Sequence, residues 1–481
     1  MNDTAVEIVE LPAVPLRARR VPRAHSHRVD DYIRHAIVPE VVGRLERLPA
    51  RRRSRISLGQ ALKGWLAENA TSLPEWFPRE EDGGDAASAF TWFADFVMDQ
   101  TEAVDAVSGW AFSSGWGGRG TDELAPDGLV CLVDGLLRDA LENANVVVRL
   151  SSPVLEVDYE CGSGRAGGAC PATVVVAAAE VGAAPEVHEF DRVIVTAPLG
   201  VLKASVDLPP APPPPLLPGH AARYVGQPTG AIRFTPPLPP WKQAAIRRLG
   251  VGRSFKLALA WKAAEDGGPP PFWEGFQDGS DVELLGLISG RDGRTGRARR
   301  AKPSLGQGEH WEFVNLTPFA RKARKTNNVS AVPYVLCGET DAAHAQYLSG
   351  LPEAAAVARA MTALRRAFGP HVPDPAFTAS RSWTDAEPFQ RGALSYWAVG
   401  SGPADSAALA EPVAGGALLF AGEAANMHHP QLMVGAYLSG LWAADAAAHI
   451  LRTGGLEDRG HDWRGENVYQ SAGHEDEWDF I

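Results

Sequence analysis

A chain of 481 residues, 45% hydrophobic and 22% charged, has ordinary globular composition and is long enough for two or three packed lobes. Its net charge of −12 argues against nucleic acid as the main partner and suits a cationic substrate. Four cysteines without a C-x-x-C pair exclude a disulfide scaffold, and no apolar run reaches the roughly 18–20 residues of a membrane span, so a soluble, cytoplasmic protein is expected.

Residues 1–55 are rich in Arg and Pro and are expected to be a disordered start, with one helix-like patch from Tyr32 to Leu48. Residues 56–125 carry apolar side chains at helical spacing (Leu58, Leu62, Trp65, Leu66) and read as the helical part of a substrate lobe. Residues 126–203 begin with a helix whose stripe is Leu132, Val133, Leu136, Leu137 and Leu141. Strands are then predicted at Val146–Leu150, Val154–Val157, Thr173–Ala177 and Arg192–Thr196. Residues 204–375 start with a proline run, Pro209 to Pro218, and contain a strand from Ser254 to Trp261. Further strands are predicted at Trp311–Leu316 and Val332–Cys337, a polar insertion between Gly290 and Gly308, and an amphipathic helix at Glu353–Phe368. Residues 376–452 return to short apolar strands and an Ala-rich helix, and residues 453–481 form an acidic tail.

Gly162-Ser-Gly164-Arg-Ala-Gly167 has the spacing of a dinucleotide fingerprint but lies between two strand patterns, with Cys170-Pro171 where a helix should begin. A pyrophosphate site needs the helix N-terminus, so this motif reads as a hairpin tip. Near the C-terminus, the strand Gly416-Ala-Leu-Leu-Phe-Ala-Gly-Glu423 breaks at a glycine and a carboxylate, and a helix starts near Val434 with Gly435-Ala-Tyr-Leu-Ser-Gly440. That order joins a small-residue backbone, a hydrogen-bond acceptor and a positive helix end, all of which a flavin requires. His428-His429 follows the carboxylate, but adjacent histidines point apart and no third ligand accompanies them, so no metal is expected.

Taken with Val154, with Asp191-Arg-Val-Ile-Val-Thr-Ala-Pro-Leu-Gly200, and with Arg248-Leu-Gly-Val-Gly252 before Ser254-Phe-Lys256, this C-terminal stretch resembles the flavin-containing amine oxidases. Pro271-Phe-Trp273, Trp383 and Gly392-Ala-Leu-Ser-Tyr396 follow in that family's order, and the likeness covers about residues 125–450. It is closest to the polyamine and spermine oxidases. The resemblance implies an α/β fold, with an FAD-binding doubly wound sheet and an inserted α+β substrate domain. It also implies FAD as cofactor, a small-molecule amine and O2 as partners, and release of hydrogen peroxide. By the same resemblance Lys256 holds a water beside flavin N5, and Val154, Thr196, Trp383, Glu423, Leu432 and Met433 contact the cofactor. Leu394 and Tyr396 fall in the substrate pocket.

Two departures accompany the likeness. The family usually places an aromatic or polar side chain where Leu394 stands, and Thr-Val-His-Gly where Leu432-Met-Val-Gly435 stands, so an aromatic cage for an amine is not provided by Leu394 and Leu432. Nothing in residues 1–125 fits the family's first strand, glycine-rich turn and helix, so the parallel sheet is expected to be incomplete at its N-terminal strand. Either the chain is a product of a longer reading frame, or it is a non-catalytic relative that does not retain FAD.

Overall fold

In the computed structural model, residues 5–11, 19–20, 32–73, 102, 104–111, 128–143, 145–160, 171–178, 184–209, 224, 227–263, 270, 272, 283–289, 310–317, 334–340 and 342–454 are described. The glycine-rich segment 162–167, most of the proline run, the polar insertion and the acidic tail beyond Gly454 lie outside them.

The chain opens with β1 (Ala5–Leu11) and β2 (Arg19–Arg20), followed by a π-helical turn, Tyr32–Ile37, that leads into α1 (Val38–Glu46). Val38, Val41, Val42 and Leu45 make one buried face of α1, which packs on α2 (Leu58–Asn69) through Leu58, Leu62, Trp65 and Leu66. The Trp65 indole donates to Glu40 at 2.9 Å, and Arg44 bridges Glu40 and Glu68. Residues 32–55, expected within a disordered start, are therefore ordered. Enough apolar side chains recur at helical spacing there to bury a face.

Then come α3 (Val130–Leu141), β3 (Val154–Asp158), β4 (Ala172–Val176), β5 (Glu186–Phe190) and β6 (Val193–Val195). The antiparallel order β5-β4-β3, with β7 (Arg233–Thr235) parallel to β3, gives a meander closed by Glu186–Phe190, a strand the sequence reading did not predict. The apolar strand expected to end it, within Arg192–Thr196, leaves for another sheet as β6. The meander's strands flank the glycine-rich segment as a hairpin reading requires, although that segment itself is not described. Val146–Leu150 forms no ladder, contrary to the strand predicted there, and Val147 and Leu150 are each 82% exposed. Apolar β-branched residues make a strand only where a neighbouring strand offers hydrogen bonds, and none of the described strands does so here.

After α4 (Leu199–Val206) and α5 (Pro240–Arg248), β8 (Gly250–Val251) forms a short ladder of its own, and β9 (Ser254–Trp261) enters the larger sheet. With β10 (Glu283–Ser289), β11 (His310–Asn315), β12 (Tyr334–Thr340) and β13 (Phe377–Trp383), its order is β13-β9-β12-β11-β10-β1-β2. Phe255, Leu257, Leu259 and Trp261 alternate onto one face with Trp311, Phe313 and Leu336. They meet α6 (Ala342–Ser349) and α7 (Glu353–Phe368) in one core. Phe272 closes that core edge-on to Trp261, with ring centroids 5.1 Å apart.

The chain ends in β14 (Ser395–Tyr396), α8 (Pro403–Ala410), β15 (Leu418–Phe420) and α9 (Met433–Thr453). Among the described strands β15 pairs with β6 alone, in parallel, and Leu418 adds an isolated bridge to Val413. β1, the sole strand described before β3 other than β2, lies beside β10 in the larger sheet rather than beside β6. Among the described residues no strand from the N-terminal part of the chain joins the parallel pair.

Candidate flavin and amine site

The parallel pair β6–β15 sets the floor of the site. Ala421 donates its N–H to Val195 at 3.0 Å, so Thr196 and Gly422 leave the pair at the same end. Thr196 is exposed there. Gly422 has φ +128°, a conformation L side chains rarely adopt, and a side chain added to it would meet open space. The Ser439 hydroxyl on α9 accepts from the Gly422 N–H at 2.9 Å, fixing the strand end to the helix.

Glu423 does not project freely from that end. Its carboxylate accepts from the Ser395 N–H at 3.1 Å, the Ser395 hydroxyl at 2.6 Å and the Gln431 N–H at 2.8 Å. Gln431 is held at φ +71° to deliver its bond. Through these contacts one carboxylate ties Leu394–Tyr396 to the segment that starts α9. Asn426 shapes the intervening loop, accepting from the N–H groups of His428 and His429 at 2.9 and 2.8 Å. Burial, then neighbouring His428, pushes the His429 imidazole below its usual range. Gly435 lies against the His429 carbonyl so closely that no Cβ fits. Leu432 offers no side-chain cap to α9, and Leu432, Met433 and Val434 are exposed around this uncapped, positive helix end.

The amine side is built from the larger sheet. Gly252 exchanges backbone bonds with Ala393 and Leu394, at 2.8 Å each, so β9 starts beside the Glu423 cluster. Lys256 and Trp383 fall on the same face of β9 and β13, because Arg381 pairs with Lys256 and Trp383 with Ser254. That face is opposite the buried Phe255–Leu257–Leu259–Trp261 row. Lys256 is 49% exposed and pairs with Glu339 at 3.4 Å, and Trp383 is half-buried. The Tyr396 ring packs on Gly250, and burial followed by nearby Glu102 pushes its hydroxyl up to about 12, so it is a neutral donor. Arg253 bridges Glu102 and Asp385, at 3.2 and 3.3 Å. Val154 opens β3 and packs on the core that holds Val195 and Phe420.

Eight of the nine residues singled out in the sequence thus lie on three connected pieces: the β6–β15 end, the Glu423–Ser395–Gln431 knot and the β9–β13 face. Val154 stands on the meander behind them. Sequence reasoning missed Ser395, Gln431 and Glu339. Ser395 and Gln431 carry no pattern of their own, whereas Glu339 could have been found from the alternation of Tyr334–Thr340 once Lys256 was placed. No group of three or more metal-ligating side chains occurs among the described residues. No described helix is long and apolar enough to cross a membrane.

A flavin ring fits this arrangement: the uncapped helix end supplies positive potential, Gly422 leaves space, and Leu432 and Met433 supply apolar surface. The pyrophosphate is not provided for to the same degree. Among the described residues, no glycine-rich turn joins a strand of the parallel pair to a helix N-terminus.

The chain is similar in fold to solved amine-oxidising enzymes. Cyclohexylamine oxidase from Brevibacterium oxydans matches with a TM-score of 0.53 at 15% identity, covering 94% of this chain and 82% of that one. Putrescine oxidase with bound putrescine matches with a TM-score of 0.53 at 17% identity, covering 92% and 81%. The class is therefore an α/β FAD-binding fold with a substrate domain. Residues 33–448 match the model of the flavin containing amine oxidoreductases, and the chain belongs to that family, whose cofactor is FAD.

Among curated relatives, histone demethylase-like protein A of Aspergillus fumigatus is 33% identical over 257 residues, 53% of this chain and 19% of that protein. FLOWERING LOCUS D of Arabidopsis thaliana is 30% identical over 283 residues, 58% and 28%. A possible lysine-specific histone demethylase 1 of Drosophila melanogaster is 29% identical over 314 residues, 63% and 28%. The chain spans between 19% and 28% of the length of these three relatives.

Proposed function

We propose that the protein is an FAD-dependent oxidase of aliphatic amines, of the polyamine type. The observation that carries this reading is the placement of Lys256 and Trp383 on one sheet face, joined through Gly252 and Leu394 to the Glu423 knot and the uncapped start of α9. When bound, FAD would supply two-electron oxidation of the amine to an imine with O2 as the final acceptor and H2O2 as product, and hydrolysis of the imine would give a carbonyl compound with ammonia or, from a secondary nitrogen, a shorter amine.

The chain's own residues bind and orient. Thr196, Gly422 and Glu423 would hold the cofactor's polar chain, with Val154 on its adenine side. Leu432 and Met433 would lie along the ring, and the start of α9 would favour negative charge at its N1 edge. Trp383 supplies a packing wall. Lys256, a three-proton donor at the exposed side of the sheet, orients a water rather than abstracting a proton. Leu394 gives the pocket an aliphatic wall, and Tyr396 a neutral hydroxyl. Leu394 and Leu432 present no aromatic face to an amine, which suits an extended aliphatic chain.

A second reading has one observation in its favour: relatives 29–33% identical bear the names of histone demethylases, so a methylated lysine side chain is the competing amine. The test is purification followed by visible absorbance, then H2O2 release with putrescine, with a longer polyamine and with a dimethyl-lysine peptide. Flavin absorbance with turnover of the polyamines supports the proposal, and turnover of the peptide alone replaces it with the second reading. A colourless protein that gains no flavin absorbance with added FAD makes this a non-catalytic amine-oxidase-like protein.

A further inference from the structure

β9 and β12 are antiparallel neighbours in register, and Lys256 stands directly opposite Glu339. On its other side Lys256 faces Arg381 of β13. A like charge opposite repels and an unlike one attracts, so the ammonium is driven toward β12. Arg381 is itself drawn aside by Glu387, at 3.6 Å. Glu339 is anchored in turn: the hydroxyl of Ser254, a buried residue two places before Lys256 on the same face, donates to its Oε1. Oε2 is left for Lys256 Nζ, at 3.4 Å.

The pair is half-exposed, with side chains 49% and 34% accessible. An ion pair in that setting contributes about 0–1 kcal/mol to stability, too little to explain it as a structural brace. Its geometric consequence is larger. A lysine with four rotatable bonds beside a water-filled site samples many positions, and a carboxylate pinned by Ser254 restricts it to one side. At 3.4 Å the contact engages one direction of the ammonium and leaves its other N–H groups for water or ligand.

We infer that Glu339, pinned by Ser254, is the positioning residue for Lys256: it sets where the ammonium stands on the amine-facing side of the sheet. This rests on the proposed role of Lys256 in flavin chemistry, but the clamp itself does not require flavin.

The test has two arms on the full chain. In the first, without added cofactor, the rate of reductive methylation of Lys256 is followed by peptide mass spectrometry. Glu339→Gln is expected to change that rate about threefold or more, Ser254→Ala by less, and Glu387→Gln hardly at all, since an exposed ion pair is worth about a factor of five at most. Equal rates in wild type and Glu339→Gln overturn the clamp. In the second arm, with FAD loaded, flavin reoxidation by O2 is measured in a double-mutant cycle. Glu339→Gln should slow it about five- to tenfold in the wild-type background and have no further effect in Lys256→Met. Additive losses in the two backgrounds overturn action through Lys256. Failure to load flavin defeats the functional reading and leaves the first arm to judge the clamp. Unchanged melting temperature in Glu339→Gln separates either result from misfolding.

Discussion

The larger sheet and the stretch from α3 to Leu150 differ in how completely they bury their apolar residues. On the larger sheet, Leu257, Leu259, Phe313 and Leu336 are fully buried against α6 and α7. α3 carries an apolar stripe too, yet none of its residues is buried, and Leu132, Val133 and Leu136 are more than half exposed. Val146–Leu150 is likewise apolar and unpaired, and Ile194 of β6 is 38% exposed. An amphipathic pattern is a demand for a partner surface: the larger sheet and β15 meet it, whereas among the described residues α3 and Val146–Leu150 do not. A parallel pair in particular needs helices on both faces and further strands at its edges, because its connections cannot be short.

That contrast can be broken by substitution. Phe313→Ala, at a fully buried position stacked on Trp311 at 5.7 Å, is expected to cost about 3–5 kcal/mol in chemical denaturation. A much smaller loss would mean that the substrate-side core is loose. Gly435→Ala forces a methyl into the His429 carbonyl and should cost about 1–3 kcal/mol, with loss of any flavin affinity. Unchanged melting and flavin titration would show that the start of α9 is not held as described.

Lys242 sharpens the comparison from inside the core behind β15. Its ammonium is fully buried, donates to the carbonyls of Ala408 and Leu409 at 3.1 and 2.7 Å, and lies 4.0 Å from the Phe420 ring centroid. Burial pushes it down to about 7 from 10.5. Between those values the unfolded chain binds more protons than the folded one, so stability rises with pH: the penalty is full below about pH 7 and gone above 10.5. Lys242→Met should flatten that rise in denaturation midpoints taken across the window, and an identical slope in both proteins would refute the assignment. The smallest effects belong to α3, where Leu132→Ser and Leu136→Ser should each change stability by no more than about 0.5 kcal/mol. A loss of several times that amount would reveal a covered face.

Much of the substrate lobe was legible from pattern. Ser254–Trp261 alternates strictly, and Glu353–Phe368 repeats at helical spacing, because each buries one face. Val146–Leu150 was misread because composition reports a preference for a pleated surface, not whether a neighbour is present. β10 was not read from Glu283–Ser289, whose apolar run lacks a clear alternation. In the site, Lys256 and Glu423 were legible through the family's residues, but their partners were not. Glu339 lies 83 positions beyond Lys256, and Ser395 28 positions before Glu423; such pairings follow from strand register and loop closure, which local spacing does not encode.

By itself the sequence determined the family and the break of an apolar strand at Gly422-Glu423 before a helix. These are local, since a glycine, a carboxylate and a helix start act through neighbours in the chain. Only the tertiary structure decided that Glu423 is already engaged by Ser395 and Gln431, that Lys256 is paired with Glu339, and that β1 joins the substrate sheet. Those outcomes depend on which distant strands share hydrogen bonds, and the energy that selects them is released only when the faces meet.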